Sequence, residues 1–293
     1  MRHVVIIGGN GQLGTDLRGA LHAFRVTPLA HAALDVCNPE QARAVLGDLR
    51  PDVVVNTSAY HKVDLCEDEP TPTFAVNTIG PYHLARLAAE FHFTLVHFST
   101  DYVFDGRATR PYTEDDPPNP LSVYGASKAA GEGLVRHFCP RHYVIRSTGL
   151  FGVAGASGKG GNFVETMIRL GKSGDPVRVV EDQVMTPTAT ADLAAAVRAL
   201  LERETANEAP YGLYHVTAAG QCSWYEFAKA IFERSGMSVD LSPITSAQSG
   251  SKARRPAFSV LDHTRWKRAG FDELRPWQEA LDDYLRAKGH RKD

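Results

Sequence analysis

Apolar residues along the chain follow two rhythms. Short runs rich in Val and Ile, namely HVVII (3–7), RVTPLA (25–30), DVVVN (52–56), FTLVHFS (93–99) and HYVIRS (142–147), alternate with longer Ala/Leu-rich stretches. A run that is apolar at consecutive positions predicts a strand covered on both faces. The intervening QLGTDLRGALHA, PEQARAVLGDL and TPTFAVNTIGPYHLARLAAEF read as helices. Strand and helix alternating at this spacing predict right-handed βαβ units and an α/β fold built on a doubly wound parallel sheet.

The rhythm changes near residue 150. FGVAGASGKGGN is glycine-rich and reads as a flexible wall over a site. A helix (163–172), a strand (176–182), a helix (190–203), YGLYHVT (211–217) and a helix (223–236) follow, and predict a smaller mixed α/β region at the carboxyl edge of the sheet. Residues 1–149 are thus expected to bind a dinucleotide, with part of 186–210 packing back on them, and 150–293 to form mainly a substrate domain.

Composition narrows the function classes. With 293 residues the chain can bury a large core, and 43% hydrophobic against 23% charged residues is ordinary for a globular protein. A net charge of -2 gives no general affinity for nucleic acid or anionic lipid, and no apolar run approaches the roughly 20 residues of a membrane span. The basic tail RAKGHRKD is expected to fray. Cys37, Cys66, Cys139 and Cys222 are too scattered for a metal or redox motif, so free thiols, no metal and a cytoplasmic location are expected.

Two short patterns carry chemistry. In IIGGNGQLGTDL, Gly8, Gly11 and Gly14 stand between the first strand and the first helix, with Gln12 and Leu13 opening that helix. Glycines there permit a tight turn and close backbone approach to a pyrophosphate, which the helix N-terminus attracts; the pattern is that of a Rossmann-like nucleotide fold. The acid that would hold a free ribose 2′-hydroxyl is missing from the end of the second strand, where the chain reads Leu29-Ala30-His31. NADPH or NADH is the expected cofactor. In LSVYGASKAAGEGLV, Tyr124 and Lys128 lie four apart, on one face of a helix. A phenol has an ordinary pKa of about 10, and a nearby ammonium is expected to bring Tyr124 closer to working pH. Lys128 can also hold the cofactor ribose. Ser99 and Thr100 end the fourth strand, where open α/β sheets bind ligands, and Thr100 is placed to hydrogen-bond a substrate carbonyl.

The glycine spacing and Tyr124-x-x-x-Lys128 resemble the short-chain dehydrogenase/reductases. NTSAYHKVDLCEDEP, STDYVFDG, YGASKAAGE, GNFVETMIRL, EDQVMTPT, SWYEFAKAIF and ARRPAFSVLD together resemble the dTDP-4-dehydrorhamnose reductase family almost end to end. The resemblance implies NAD(P)H-dependent reduction of the 4-keto group of a nucleotide-linked 6-deoxy sugar, dTDP-4-dehydro-L-rhamnose above all. It implies that Tyr124 and Lys128 perform the reduction, that Asp35 and Val36 hold the adenine, and that Ser58, Ala59 and Tyr60 line the cofactor. It further implies substrate contacts from Thr100 and Asp101, then from Tyr102, Asn162, Arg254 and Arg255, with Asp182 and Gln183 structural near the cleft. A homodimer is a further expectation. In one place the chain departs from the family: where a tryptophan is expected to pack on the sugar, the sequence is Arg146-Ser147-Thr148-Gly149, with Phe151 and Phe258 replacing tyrosines. Two other readings stay open on the same resemblance, a nucleotide-sugar epimerase or dehydratase, and a non-catalytic regulatory subunit like that of methionine adenosyltransferase.

Overall fold

The computed structural model describes residues 1–155 and 161–291. Six parallel strands form the central sheet, in the spatial order Gly212–His215, His142–Ser147, Thr94–Thr100, Val53–Asn56, His3–Ile7 and Arg25–Leu29. The Val/Ile runs are buried from end to end: His3–Ile7, Val53–Asn56 and Thr94–Thr100 expose no residue. Burial on both faces follows from helices on both sides. The helices Gln12–Ala20 and Thr190–Thr205 pack on one face with Leu13, Leu17, Leu193, Val197 and Leu200. The helices Pro39–Leu49, Gly80–Phe91 and Val123–Phe138 cover the other with Leu46, Leu84, Ala88 and Val135.

Three features differ from expectation. Gly212–His215, read above as part of the C-terminal region, pairs with His142–Ser147 and is the sixth strand of the main sheet. The stretch 70–91 is not one helix: Pro70–Phe74 passes into a π-helical turn, Ala75–Ile79, before Gly80–Phe91. Pro81 has no N–H to give the Asn77 carbonyl, which instead faces Gly131, where a Cβ would lie 2.2 Å from that oxygen. The basic tail is also held through Arg291. His290 Nε2 lies 3.1 Å from Glu165 Oε1, and Arg291 pairs with Asp282. Of the glycine-rich wall, residues 156–160 lie outside the described residues.

A second core gathers Phe151, Met167, Ile168, Phe227, Ile231, Trp277, Leu281 and Tyr284. It joins the helices Phe163–Ser173, Trp224–Arg234 and Trp277–Ala287, and sets their starts beside the carboxyl ends of the sheet strands.

Candidate active site

A cleft of about 1040 Å³ opens at the carboxyl ends of the parallel strands, lined there by Ile7, Thr57, Phe98, Ser99, Thr100, Ser147 and Thr148. One half follows the glycine loop. Gly8 has φ +78°, and a Cβ on it would meet Thr57 Oγ1 at 2.5 Å. Gly14 does not line the cleft; a Cβ there would lie 2.3 Å from the Gly8 carbonyl oxygen, so this glycine sets helix against strand. Gly11 caps the helix Gln12–Ala20 without a side-chain bond, and no acid stands in the first turn. The first N–H groups, Gln12 and Leu13 among them, are left to meet an anion at the positive end of the helix dipole.

Ala30, His31, Asp35 and Val36 continue the wall, with Ser58, Ala59 and Tyr60 opposite. Asn77 fixes that opposite wall: its Oδ1 accepts from Tyr60 N at 2.8 Å, while Nδ2 donates to Tyr60 O and to Ser127 Oγ, each at 3.0 Å. The π-helical turn thereby ties the Tyr60 backbone to the helix that carries Tyr124 and Lys128. Sequence reading missed Asn77; Asn77 and Gly80-Pro81 within one helical stretch were the available signal.

Tyr124 and Lys128 both line the cleft. The Lys128 side chain is only 2% exposed and donates from Nζ to Phe98 O at 2.6 Å. Burial lowers its pKa to about 8, against the raising field of Glu132. Tyr124 sits edge-on to Tyr102, with ring centroids 5.7 Å apart. Its phenol is pushed up, by burial first and then by the charge of Asp101, while a hydrogen bond from Thr100 acts the other way. That corrects the expectation of a phenol drawn down by Lys128. Tyr124 is held as the protonated acid, which is the form a reduction consumes.

Thr100 donates from Oγ1 to Asp101 Oδ1 at 2.9 Å and accepts from Tyr102 N at 3.2 Å. Asp101, itself 3% exposed, also accepts from Ser259 Oγ on Oδ2 at 2.6 Å, and burial raises its pKa. It holds Thr100 from below. Asn162 donates to Gln12 Oε1 at 3.1 Å and to Gly152 O at 3.0 Å, closing the cleft over the glycine loop. Gly149, at φ +58°, offers only backbone, since a Cβ would lie 3.1 Å from Met185 Sδ and Pro187 Cα.

Several expected residues stand elsewhere. Arg254 is exposed and does not line the cleft. Arg255 lies behind the wall, bonded to Asp64 Oδ2 at 2.8 Å and to the Tyr102 phenol, which burial pushes up to about 12. Asp182 accepts from Ser246 N and Oγ, and Gln183 Nε2 donates to Ser246 Oγ. Phe151 is buried against Phe227 and Tyr284, and Phe258 packs near Val103 and Phe104, so neither reaches the space beside Gly149. Phe163, Thr166 and Trp224 line that part of the cleft instead. They lie inside the stretches GNFVETMIRL and SWYEFAKAIF, which sequence reading marked without giving these three a role.

The glycine cradle fits a dinucleotide. Ser99 Oγ and Ser147 Oγ, both buried at the cleft and without a protein partner, mark polar ground where a ligand can bind. Among the described residues no group of three or more His, Cys, Asp or Glu is arranged to hold a metal ion.

Residues 1–289 match the family described as RmlD substrate binding domain. Spore coat polysaccharide biosynthesis protein SpsK of Bacillus subtilis is 40% identical over 295 residues, covering 100% of both chains. The dTDP-4-dehydrorhamnose reductase of Streptomyces griseus is 41% identical over 94% of this chain and 91% of its own. A probable dTDP-4,6-dihydroxy-2-methyloxan-3-one 4-ketoreductase of Streptomyces antibioticus is 39% identical over 94% and 92%. Among solved structures, the dTDP-4-dehydrorhamnose reductase of Clostridium acetobutylicum superposes with TM-score 0.92 at 38% identity, covering 98% of this chain and 99% of that one. The Bacillus anthracis reductase, solved in complex with NADP, gives 0.91 at 36% identity, over 98% and 100%.

Proposed function

The chain belongs to the RmlD substrate binding domain family, that of the dTDP-4-dehydrorhamnose reductases, and from that premise we propose that it reduces the 4-keto group of a dTDP-linked 6-deoxy sugar, dTDP-4-dehydro-L-rhamnose first, with NADPH or NADH. The observation that carries the reading is the meeting of Thr100, Tyr124 and Lys128 at one end of a glycine-cradled cleft. A protonated phenol beside a threonine hydroxyl is suited to a carbonyl oxygen that gains negative charge.

The chemistry a nicotinamide cofactor supplies when bound here is a hydride for the carbonyl carbon. Gly8, Gly11, Gln12 and Leu13 would hold its pyrophosphate, His31, Asp35 and Val36 its adenosine, and Ser58, Ala59, Tyr60 and Lys128 its other half. Thr100 hydrogen-bonds the carbonyl oxygen and Tyr124 gives it a proton. Asp101 holds the Thr100 hydroxyl proton until the substrate carbonyl oxygen takes that hydrogen bond in its place. Lys128, buried in the cleft and bonded to Phe98 O, supplies the positive charge on the cofactor side of Tyr124. Asn162 ties the Gln12 side chain at the glycine loop to the start of the helix Phe163–Ser173.

NADPH oxidation against a panel of nucleotide-linked keto-sugars tests the proposal. Turnover on dTDP-4-dehydro-L-rhamnose supports it, and silence across all dTDP keto-sugars defeats it. A second substrate within the same reaction is favoured by the Streptomyces antibioticus relative, which is named for another dTDP keto-sugar, while Gly149 presents only backbone where the family resemblance implies a tryptophan. We infer a cytoplasmic location from the thiols of Cys37, Cys139 and Cys222, which are free as a reducing compartment keeps them.

A further inference from the structure

The cofactor trough and the catalytic residues leave one wall of the cleft without a task, and that wall is aromatic. Phe163 and Trp224 both line the cleft, with ring centroids 4.7 Å apart and planes at 53°. Each is the first residue of an eleven-residue helix, Phe163–Ser173 or Trp224–Arg234, and the two helices pack on each other. Both starts are capped: Asn162 Oδ1 accepts from Glu165 N at 3.1 Å, and Ser223 Oγ accepts from Glu226 N at 3.1 Å while Glu226 Oε2 accepts from Ser223 N at 2.7 Å. Behind them Phe163 stacks on Phe227 at 5.6 Å and 13°. The Trp224 backbone N–H is bonded to Gln183 O at 3.3 Å. The indole is thus a flat surface fixed before any ligand arrives, so that stacking on it loses little conformational entropy.

We propose that Trp224, backed by Phe163, stacks on the pyrimidine base of the dTDP-sugar and sets the affinity for the nucleotide end of the substrate. The inference rests on the reductase reading above. Within that reading the two ends of the cleft are already occupied. The adenosine side lies at Ala30–Val36, beyond the edge strand Arg25–Leu29, and the reacting carbonyl is fixed at Thr100 and Tyr124. The lining residues around the two aromatic rings, Gly149, Leu150, Gly161, Asn162, Phe163, Thr166 and Trp224, are all uncharged. A neutral wall with a half-buried indole suits a planar base and offers nothing to a diphosphate.

The experiment uses the three tryptophans. Trp266 and Trp277 are 2% and 5% exposed and do not line the cleft, so ligand-dependent emission reports Trp224. Titrating dTDP into the wild type is expected to quench that emission. Trp224→Leu is expected to lose the quench and to raise KM for dTDP-4-dehydrorhamnose by about 5- to 150-fold, the range for one base on one aromatic face, with kcat and NADPH affinity held. Trp224→Phe, which keeps a flat ring, should recover most of the loss. A Trp224→Leu protein with unchanged KM and unchanged dTDP affinity, alongside an active wild type, overturns the stacking and leaves the reductase reading standing. Parallel loss of NADPH affinity also overturns it, because the substitution then acts through the fold. A wild type that neither binds dTDP nor oxidises NADPH with any dTDP keto-sugar overturns both.

Discussion

The two halves of the cleft are built by different means. On the cofactor side the lining comes from Gly8–Leu13, Ala30–Val36 and Ser58–Tyr60, each following the end of a sheet strand, and much of what it offers is backbone. On the substrate side Ser147–Leu150 also continue from a strand, His142–Ser147, but Gly161–Phe163, Thr166 and Trp224 are brought to them by the packing of the helices Phe163–Ser173 and Trp224–Arg234. A backbone-built half depends on glycines and strand register and tolerates no added atoms. A half built of side chains can change its contents while the sheet stays as it is, and Gly149 with Trp224 is such an arrangement.

The largest test lies where the halves meet. Tyr124→Phe removes the proton donor and leaves the ring, so turnover should fall by at least about 10²-fold while NADPH affinity stays near the wild-type value. Lys128→Ala should lower both, because Lys128 lines the same cleft as Tyr124 and is proposed to hold the cofactor. Stopped-flow turnover and NADPH titration on the two variants separate the roles; near-normal turnover in Tyr124→Phe removes Tyr124 from the mechanism.

A second test sets two glycines of one helix against each other. Gly14→Ala places a Cβ 2.3 Å from the Gly8 carbonyl oxygen and 2.8 Å from Gly9 Cα, and backbone cannot step aside. Overpacking of this kind costs about 1–3 kcal/mol, so a lower Tm and about tenfold or more loss of NADPH affinity are expected. Gly19→Ala in the same helix meets nothing within 4 Å and should raise stability by about 0.5–1 kcal/mol. Thermal melts and NADPH titrations of both decide; equal behaviour would mean that the loop yields and the cofactor half is not backbone-limited.

The third test is pH. Burial lowers Lys128 to about 8, so the cation is present below that pH and lost above it, while the raised Tyr124 phenol keeps its proton across the same range. The free enzyme should therefore show kcat/KM level below about pH 8 and falling above it, approaching tenfold per unit. A profile flat to pH 10 would separate the Lys128 charge from the reaction.

The same contrast explains what could be read from the chain. The Val/Ile runs, the glycine loop and Tyr124-x-x-x-Lys128 each lie within one local element, whose period or turn requires those residues. Gly212–His215 joins its neighbour His142–Ser147 only after some 65 residues of intervening chain, and nothing in its own four residues says which sheet it enters. Phe151 and Phe258, which stand where the family has tyrosines, are held away from the cleft, one in the second core and the other in a small cluster with Val103 and Phe104. Arg255, expected to touch the substrate, is held by Asp64. Trp224 reads as an ordinary aromatic of an amphipathic helix until the packing of that helix turns it to the cleft.

The smallest expected effect concerns the rim of the cofactor half. The second strand ends at Leu29, and His31 follows with its side chain 84% exposed, its Nδ1 4.0 Å from Asp35 Oδ1. At the strand end itself, Ala30 and His31 supply neither a carboxylate to repel a 2′-phosphate nor an arginine to clamp one. NADPH should therefore be accepted at least as well as NADH, with a modest preference, and a strong kinetic preference for NADH would show this reading of the strand end to be wrong. His31→Asp sharpens the point. An exposed carboxylate added there acts through water and is screened, so it should lower the NADPH-to-NADH preference by only several-fold, on the order of 1 kcal/mol. The shift should shrink as salt is raised, whereas loss of a shaped contact would persist. Measuring kcat/KM for both cofactors at low and high ionic strength distinguishes the two, and a salt-independent change would assign His31 a direct contact with the adenosine in place of a purely electrostatic role.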